Sequence, residues 1–371
     1  MKYVSLFSGI EAASVAWAPL GWLPLAFAEV DAFPSAVLKA RFPSVPNLGD
    51  VTKVNWRGFV RDFGRPDVLV GGSPCQSFSI AGTRTGLGGA SGLMWEYVRA
   101  VREVRPRWIL WENVPGALSS SNGEDFRCLL EALDALGYGL AWRVLDAQFF
   151  GVAQRRERVF LVGRLGSRPP VEVLFEPESV FWDSKSSREK RKELAAAAGR
   201  GPACAGFKHS VRSGSNGVGH DFVVCMTDTQ ANSSVSDDGM CGTVTSHSKK
   251  DAPVVAFAQN SRDEVRVQGD GTLSGALSAS PGTKQTTYVC ETDNDNRSGP
   301  GVRRLTPCEC ERLQGFPDDW TRIPWRGRPA EECPDGPRYK AIGNSMAVPV
   351  MRWLGERIAM ADEIPPEEVE L

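Results

Sequence analysis

The sequence predicts an α/β protein: a doubly wound sheet flanked by helices, with a mostly β and loop block inserted late in the chain. Three observations carry this. Over residues 1–165 short apolar runs alternate with helix-patterned stretches, as in strands joined by crossover helices. Several of these runs end in glycine, proline or an acidic residue, as strands do at the ligand-binding edge of an open sheet. Over residues 166–302 the texture changes to Gly, Ser, Thr, Asn and Asp with short apolar pairs, and from Arg303 it reverts.

The 371 residues suffice for two domains and a large core. A charged fraction of 24% is ordinary for a soluble globular protein. No apolar run reaches membrane-spanning length, and Met1 to Phe7 runs into a turn without the long apolar region of a signal peptide. A cytoplasmic protein with no membrane partner is expected. Nine cysteines without framework spacing suit a reducing compartment. Cys308-Glu309-Cys310 is too close for a usual zinc pair and has no second pair to join it, so no metal is expected. All three histidines lie in the middle segment, which argues against a histidine-based triad. The net charge of −2 does not announce a nucleic-acid binder, although a local basic face would suffice. Residues 183–212 carry eight basic against three acidic side chains and read equally as such a face or as a solvated linker.

In chain order, residues 3–7 form a strand, Phe7-Ser8-Gly9-Ile10-Glu11 a tight turn, and Ala12 to Trp17 a helix. This unit can place anionic ligand groups at a helix N-terminus. One glycine is fewer than the three of a dinucleotide fingerprint. The strand Leu23 to Ala28 ends in Glu29, about 20 residues after the first turn, where an acid either binds ribose hydroxyls or faces solvent. Asp31 to Arg41 reads as a helix, and Asn47 to Thr52 as a third strand end. There Asp50 either receives an adenine amino group or caps a helix over Val54 to Asp62. Val68-Leu69-Val70 is a buried strand running into Gly71-Gly72-Ser73-Pro74-Cys75-Gln76-Ser77-Phe78-Ser79. The glycines permit a sharp turn and close approach of a ligand, and the proline stiffens it. Cys75 therefore sits on a constrained loop at the sheet edge. A lone cysteine is more often a small buried hydrophobe, so its neighbours decide. The loop Gly82 to Gly92, containing Arg84, reads as a lid or as a plain flexible loop.

Leu93 to Val104 is helical by pattern, and the strand Arg107 to Trp111 ends in Glu112-Asn113-Val114-Pro115. Glu112 would face the same crevice as Cys75. A helix, Phe126 to Leu136, and a strand, Leu140 to Leu145, precede Phe150 to Arg158, which leads into the strand Val159 to Gly163. The middle block has one helical period, Arg188 to Ala198, and a weak repeat of about 32 residues over 223–255 and 254–289. Its Asp-Gly turns, Asp238-Gly239 and Asp270-Gly271, suggest paired hairpins, with chance similarity the alternative. Thr306 and Pro307 open a helix through Leu313 as N-cap and first residue. Tyr339 to Ser345 leads into an apolar helix, Val348 to Ala361, and a frayed acidic tail.

Together these residues resemble the DNA cytosine-5 methyltransferases of prokaryotic and phage type. Phe7-Ser8-Gly9 is similar to their cofactor turn, and Glu29 and Asp50 fall at their ribose and adenine ligands. Pro74-Cys75-Gln76 resembles their nucleophile motif, Glu112-Asn113-Val114 their Glu-Asn-Val motif, and Gln154-Arg155-Arg156-Glu157-Arg158 their Gln-x-Arg-x-Arg motif. Arg304-Leu305-Thr306 through Gln314-Gly315-Phe316-Pro317 is similar to the helix that supports their recognition domain. Tyr339-Lys340-x-x-Gly343-Asn344-Ser345 resembles the last motif, which returns to the cofactor. Six motifs in the family's order are specific where any one is weak. They cover residues 1–165 and 303–357, not the block between. Two positions depart: Glu11 stands at a usual glycine, and Val30 where many members stack an aromatic on adenine. A carboxylate at position 11 would repel the cofactor's own carboxylate unless it points away or serves the helix N-terminus.

The resemblance implies a doubly wound S-adenosylmethionine-dependent methyltransferase (Rossmann-like) domain over 1–165, an inserted target-recognition domain over 166–302, and a returning segment over 303–371. It implies Cys75 as the nucleophile on cytosine C6, Glu112 at N3 and the exocyclic amine, Arg158 at O2 and Arg156 as a brace. It implies cofactor contacts from Phe7, Ser8, Gly9, Ile10, Glu29, Val30, Asp50, Val51, Pro74, Leu93, Asn344 and Ser345, with S-adenosyl-L-homocysteine as product. Double-stranded DNA would be the substrate of a monomer, its base flipped out and touched by Gln76, Ser77, Ser79 and Arg84. Arg262, Arg266, Gln268, Lys284 and Gln285 are candidates for reading bases in the major groove. A separately encoded restriction endonuclease is a possible companion. Rival readings are an RNA methyltransferase, whose Cys-Phe-Thr signature is not found here, and a non-catalytic DNA-binding relative.

Overall fold

The computed structural model describes residues 1–73, 91–175, 255–259, 265–267, 287–291 and 301–364. In chain order the strands are β1 Lys2–Leu6, β2 Leu23–Ala28, β3 Val68–Gly71, β4 Trp108–Asn113, β5 Tyr138–Asp146, β6 Glu157–Leu165, β7 Val255–Gln259, β8 Val265–Val267, β9 Thr287–Glu291 and β10 Gly301–Arg304. The α-helices are α1 Ala12–Trp17, α2 Ala32–Arg41, α3 Trp56–Phe63, α4 Ser91–Val104, α5 Glu124–Asp134, α6 Val171–Leu174, α7 Pro307–Gln314, α8 Asp335–Asn344 and α9 Val348–Asp362.

The first six strands make one sheet in the order β2-β1-β3-β4-β6-β5. β2, β1, β3 and β4 are parallel, while β6 runs antiparallel to both β4 and β5. The central strands β1, β3 and β4 are mostly apolar, as in a sheet covered on both faces, whereas β5 and β6 carry Arg143, Glu157, Arg158 and Arg164. Alternation decides which residue goes where. Tyr3, Val68, Val70, Trp108, Leu110, Phe160 and Val162 join α1 and α9 in one cluster. Val4, Leu6, Leu69, Ile109, Trp111, Val159 and Leu161 join α3, α4 and α5 in the other. The strand order reverses between β1 and β3, and ligands of open α/β sheets bind outside the strand ends at such a switch.

The end of the chain completes the first cluster. The indole N–H of Trp17 on α1 donates to the Met351 carbonyl on α9 at 2.7 Å, and the Trp108 indole donates to Asp362 at 2.8 Å. Arg164 on β6 donates to the carbonyls of Ala361 and Ile364. The described strands of the middle block form an antiparallel four-stranded sheet, ordered β10-β9-β7-β8, while α6 at the block's start packs into the first cluster.

Several local expectations differ. Asn47 to Thr52 is no strand: Asn47 makes a single parallel bridge to Phe27, and Asp50 caps a 3-10 turn over Val51–Lys53. The cap of α3 is Asn55, whose side chain accepts from Gly58 N–H at 3.0 Å. β6 breaks the parallel order, which a continuous apolar run cannot reveal. α6 follows Pro169-Pro170, yet Val173 and Leu174 are fully buried in the first cluster. The helix α8 carries Gly336, Pro337 and Gly343, which disguise it in the sequence. α7 keeps its expected start, with Thr306 and Glu309 bonded reciprocally in a capping box.

Candidate active site

The C-terminal edge of β1, β3 and β4 opens on a pocket lined on one side by Phe7, Ser8, Gly9 and Glu11, on another by Asn344, Ser345 and Met346, and at its end by Gly72 and Glu112. The turn after β1 is held to the end of β1 itself and to β2. Ser8 Oγ donates to Ser5 O, accepts from Ala28 N–H, and the Ser8 N–H donates to Ala28 O. Phe7, Gly9 and Glu11 all have positive φ, at 53°, 56° and 65°, in the left-handed region. That conformation at position 11 is why a glycine suits it. Glu11 is buried and points inward, where its carboxylate caps α1 by accepting from Ser14 N–H at 2.9 Å and from the Ser14 hydroxyl. Tyr3 Oη shares a 2.6 Å hydrogen bond with that same hydroxyl. Burial pushes the Glu11 carboxyl above the usual range, against the pull of its serine hydrogen bonds. Glu29, at the end of β2, accepts from Gly9 N–H at 2.8 Å and Asp31 N–H at 2.7 Å, so it holds the turn from outside. Its carboxyl is also raised by burial.

The opposite rim is built on β3 and β4. Ser73 is buried and doubly anchored: its Oγ accepts from the Trp111 indole at 3.1 Å, and its carbonyl accepts from the Asn113 amide at 3.0 Å. Between those anchors, Glu112 turns toward Gly72. A Cβ on Gly72 would lie 2.8 Å from Glu112 Oε2 and 3.3 Å from Met346 Cε, so the close approach requires glycine. Arg158, near the start of β6, places its Nε 3.2 Å from Glu112 Oε1. Burial raises the Glu112 carboxyl, partly opposed by Arg158 and Arg156. Arg156 is buried and donates to the carbonyls of Gly343 and Ser345 at 3.0 and 2.8 Å, tying the end of α8 to the site. Desolvation, then the neighbouring Arg158, brings its guanidinium down to about 9, which leaves it charged at neutral pH.

The structure thus brings Phe7, Ser8, Gly9, Glu112, Asn344 and Ser345 around one pocket. Ile10 is fully buried in the hydrophobic core, and its carbonyl accepts from the Trp320 indole. Val51 is buried in the second cluster, Val30 is 73% exposed, and Asp50 accepts from Thr52 N–H and its hydroxyl. Leu93 is half-buried on α4. Pro74, Cys75, Gln76, Ser77, Ser79, Arg84, Arg262, Gln268, Lys284 and Gln285 lie outside the described residues, as does the first repeat; Arg266 falls on β8. Gly72, Ser73 and Asn113 stood inside the motifs read from the sequence but without a site role of their own, and Met346 was passed over. The double glycine was the available signal for the first; nothing marked Met346 as a pocket residue.

This fold and this crevice define an α/β methyltransferase of the doubly wound, S-adenosylmethionine-dependent class. The family model for C-5 cytosine-specific DNA methylase matches residues 1–360, and the chain belongs to that family. Among relatives, it is 37% identical to the DNA N-6-adenine-methyltransferase of Escherichia phage P1, across 97% of this chain and 61% of that protein. It is 29% identical to Type II methyltransferase M2.BsuMI of Bacillus subtilis, across 97% of this chain and 75% of that protein. The chain thus spans less than two thirds of the phage relative. Among solved structures it superposes on the S. pombe Dnmt2 methyltransferase with a TM-score of 0.62 at 16% identity, covering 98% of each chain. A putative DNA modification methyltransferase from an E. coli prophage gives 0.60 at 20% identity, covering 98% of this chain and all of that one. These likenesses establish the fold.

Proposed function

We propose that this protein transfers a methyl group from S-adenosylmethionine to C5 of a flipped-out cytosine in a specific duplex DNA sequence, through a covalent bond between Cys75 and C6. The observation that carries the reading is the anchoring of Ser73 on both sides of Glu112. Cys75 follows Ser73 by two positions, with Pro74 alone between them, a reach of no more than about 7 Å. The nucleophile motif therefore begins beside the carboxyl group that its chemistry needs.

Cytosine C5 is a poor nucleophile until a thiolate adds at C6. Cys75 supplies the electron pair, sulfur being intrinsically nucleophilic near neutral pH. Charge then builds toward N3. Glu112, with a carboxyl raised by burial, shares a proton there and accepts from the exocyclic amine. Arg158 holds O2, and Arg156 keeps the end of α8 in place. The resulting C5 carbanion equivalent would take the methyl group, the sulfonium S–CH3 bond breaking with its electron pair left on the thioether product. Loss of the C5 proton to a base, most simply water, expels the Cys75 thiolate and restores the ring.

Phe7, Ser8, Gly9, Asn344 and Ser345 would hold the cofactor, with Glu29 at the ribose and Asp50 at the adenine. When bound, the cofactor supplies an electrophilic methyl group. The pocket fits it: among the described residues its lining contains two carboxylates and no basic side chain, as suits a cation. Residues 166–302 are assigned to target recognition, Arg262, Arg266 and Gln268 among them, and residues 1–165 and 303–371 to catalysis. Gln76, Ser77, Ser79 and Arg84 would meet the opened duplex. The protein acts on DNA as a cytoplasmic monomer, and its likeness to Type II methyltransferases makes a separately encoded endonuclease the companion to look for. Among the described residues no helix is long and apolar enough to cross a membrane.

The test is transfer of labelled methyl to duplex DNA, followed by base analysis and bisulfite-type sequencing. Label at cytosine C5 that disappears in Cys75→Ala supports the reading. Label on adenine, on RNA, or surviving that substitution would falsify it.

A further inference from the structure

One wall of the pocket is a linker between two helices. Ser345, Met346 and Ala347 join the end of α8 to the start of α9, and Ser345 and Met346 line the pocket beside Asn344. A linker this short belongs to neither helix, so its position is set by what stands behind it. Behind it stands the end of α7. Gln314, the last residue of α7, is fully buried, and its side-chain amide donates to the carbonyls of Ile342 at 3.0 Å and Ser345 at 3.3 Å. The next residue, Gly315, meets the other end of the linker: a Cβ there would lie 2.5 Å from Pro349 Cδ and 3.3 Å from Val348 Cβ. The Gln314-Gly315 pair therefore braces the wall at both ends.

Stability does not account for this glutamine. Ile342 O already accepts from Ser345 N–H at 3.1 Å, and Ser345 O from Arg156 at 2.8 Å, so neither carbonyl would be orphaned without Gln314. Its own Oε1 is buried and has no partner among the described residues, which costs free energy. What the amide does achieve is placement, because its two bonds fix the end of α7 against the turn at 342–345. We propose that Gln314 is a positioning residue for cofactor binding, holding the Ser345–Ala347 linker in the shape that receives the cofactor. The inference rests on the cofactor reading above. It gives α7 a task apart from the recognition strands that it follows. Arg156 grips the same carbonyl but also stands near Glu112, so its removal would disturb the chemistry as well. Gln314 is not among the residues lining the pocket, and its removal acts through the wall alone.

Gln314→Met keeps the length and burial of the side chain and removes both donated bonds. Calorimetry should show S-adenosylmethionine and S-adenosylhomocysteine each bound roughly five- to tenfold more weakly, the net worth of one neutral hydrogen bond. Methyl transfer to duplex DNA at saturating cofactor should stay within about twofold of wild type, so that the loss falls on KM and not on kcat. The melting temperature without ligand should hold or rise, since an unpaired buried oxygen has gone. Unchanged affinity with a lower melting temperature would make Gln314 a stability residue and overturn the proposal, as would a fall in kcat with KM unchanged. Should the variant not fold, hydrogen exchange of the wild type decides. The segment 342–347 should be protected before cofactor is added; free exchange there until the cofactor binds overturns the proposal. Failure of the wild type to bind either ligand would instead remove the cofactor reading, and this inference with it.

Discussion

The two rims of the crevice are held by different means. The β3–β4 rim is fixed by side chains reaching across strands: Trp111 and Asn113 grip Ser73, Arg158 flanks Glu112, and Gly72 leaves room for the carboxylate. The β1–β2 rim is fixed by its own backbone, with three left-handed residues in five, clamped from inside by Glu11 and from outside by Glu29. A rim made of bonds between distant side chains is sensitive to single substitutions. A rim made of a twisted backbone tolerates side-chain change if φ is respected, which is how a glutamate can stand where the family has glycine.

The contrast predicts a graded series. Glu112→Gln should lower the rate of methyl transfer by roughly 10²–10⁴-fold, the span of general acid–base catalysis, with an unchanged melting temperature. A loss below tenfold would remove Glu112 from the chemistry. Gly72→Ala should follow at about 10²-fold, because its methyl would displace the Glu112 carboxylate by around an ångström. Turnover should fall while cofactor affinity, measured calorimetrically, changes little. If affinity collapses instead, Gly72 belongs to the cofactor rim. Asn113→Ala removes the amide that holds Ser73 O, for a smaller loss of about tenfold in turnover, with about 1–3 kcal/mol of stability lost through the unsatisfied carbonyl. Denaturant titration reads the second number.

On the other rim the expected effect is smaller and depends on pH. Glu11 has a folded pKa above its unfolded value. Its contribution to stability is present in full below the unfolded pKa, near 4.3, and is lost as pH rises through the folded pKa. Glu11→Gln should therefore match the wild type at pH 4 and melt above it at pH 8 in the absence of ligand. The opposite order at pH 8 would show that the serine hydrogen bonds outweigh desolvation.

The strands were legible as apolar runs, but their ends less so: β3 continues through Gly71, and β4 runs on past Trp111 through Glu112 and Asn113. The motif order across 1–165 and 303–357 made the family legible too. Strand direction was not, since the β6 run Val159 to Gly163 looks the same read either way. The orientation of Glu11 was left open between pocket and cap, and only its φ and the Ser14 contacts select the cap. Asn55 and Asp50 are equivalent cap formers in sequence, and spacing of a few residues cannot choose between them. Met346 was overlooked because a methionine beside an apolar helix reads as core.

The closure of α9 over α1 carries a consequence for how the protein is made. Trp17 emerges from the ribosome early, while its hydrogen-bond acceptor on Met351 comes more than 300 positions later. The cofactor pocket likewise lacks a wall until Asn344, Ser345 and Met346 are translated. At about 5–20 residues per second, a half-built crevice must wait on the order of ten seconds or more for its last side. During that interval the apolar face of the first sheet stays uncovered and vulnerable to aggregation, and a ribosome that stalls before codon 344 releases a polypeptide with an incomplete cofactor pocket.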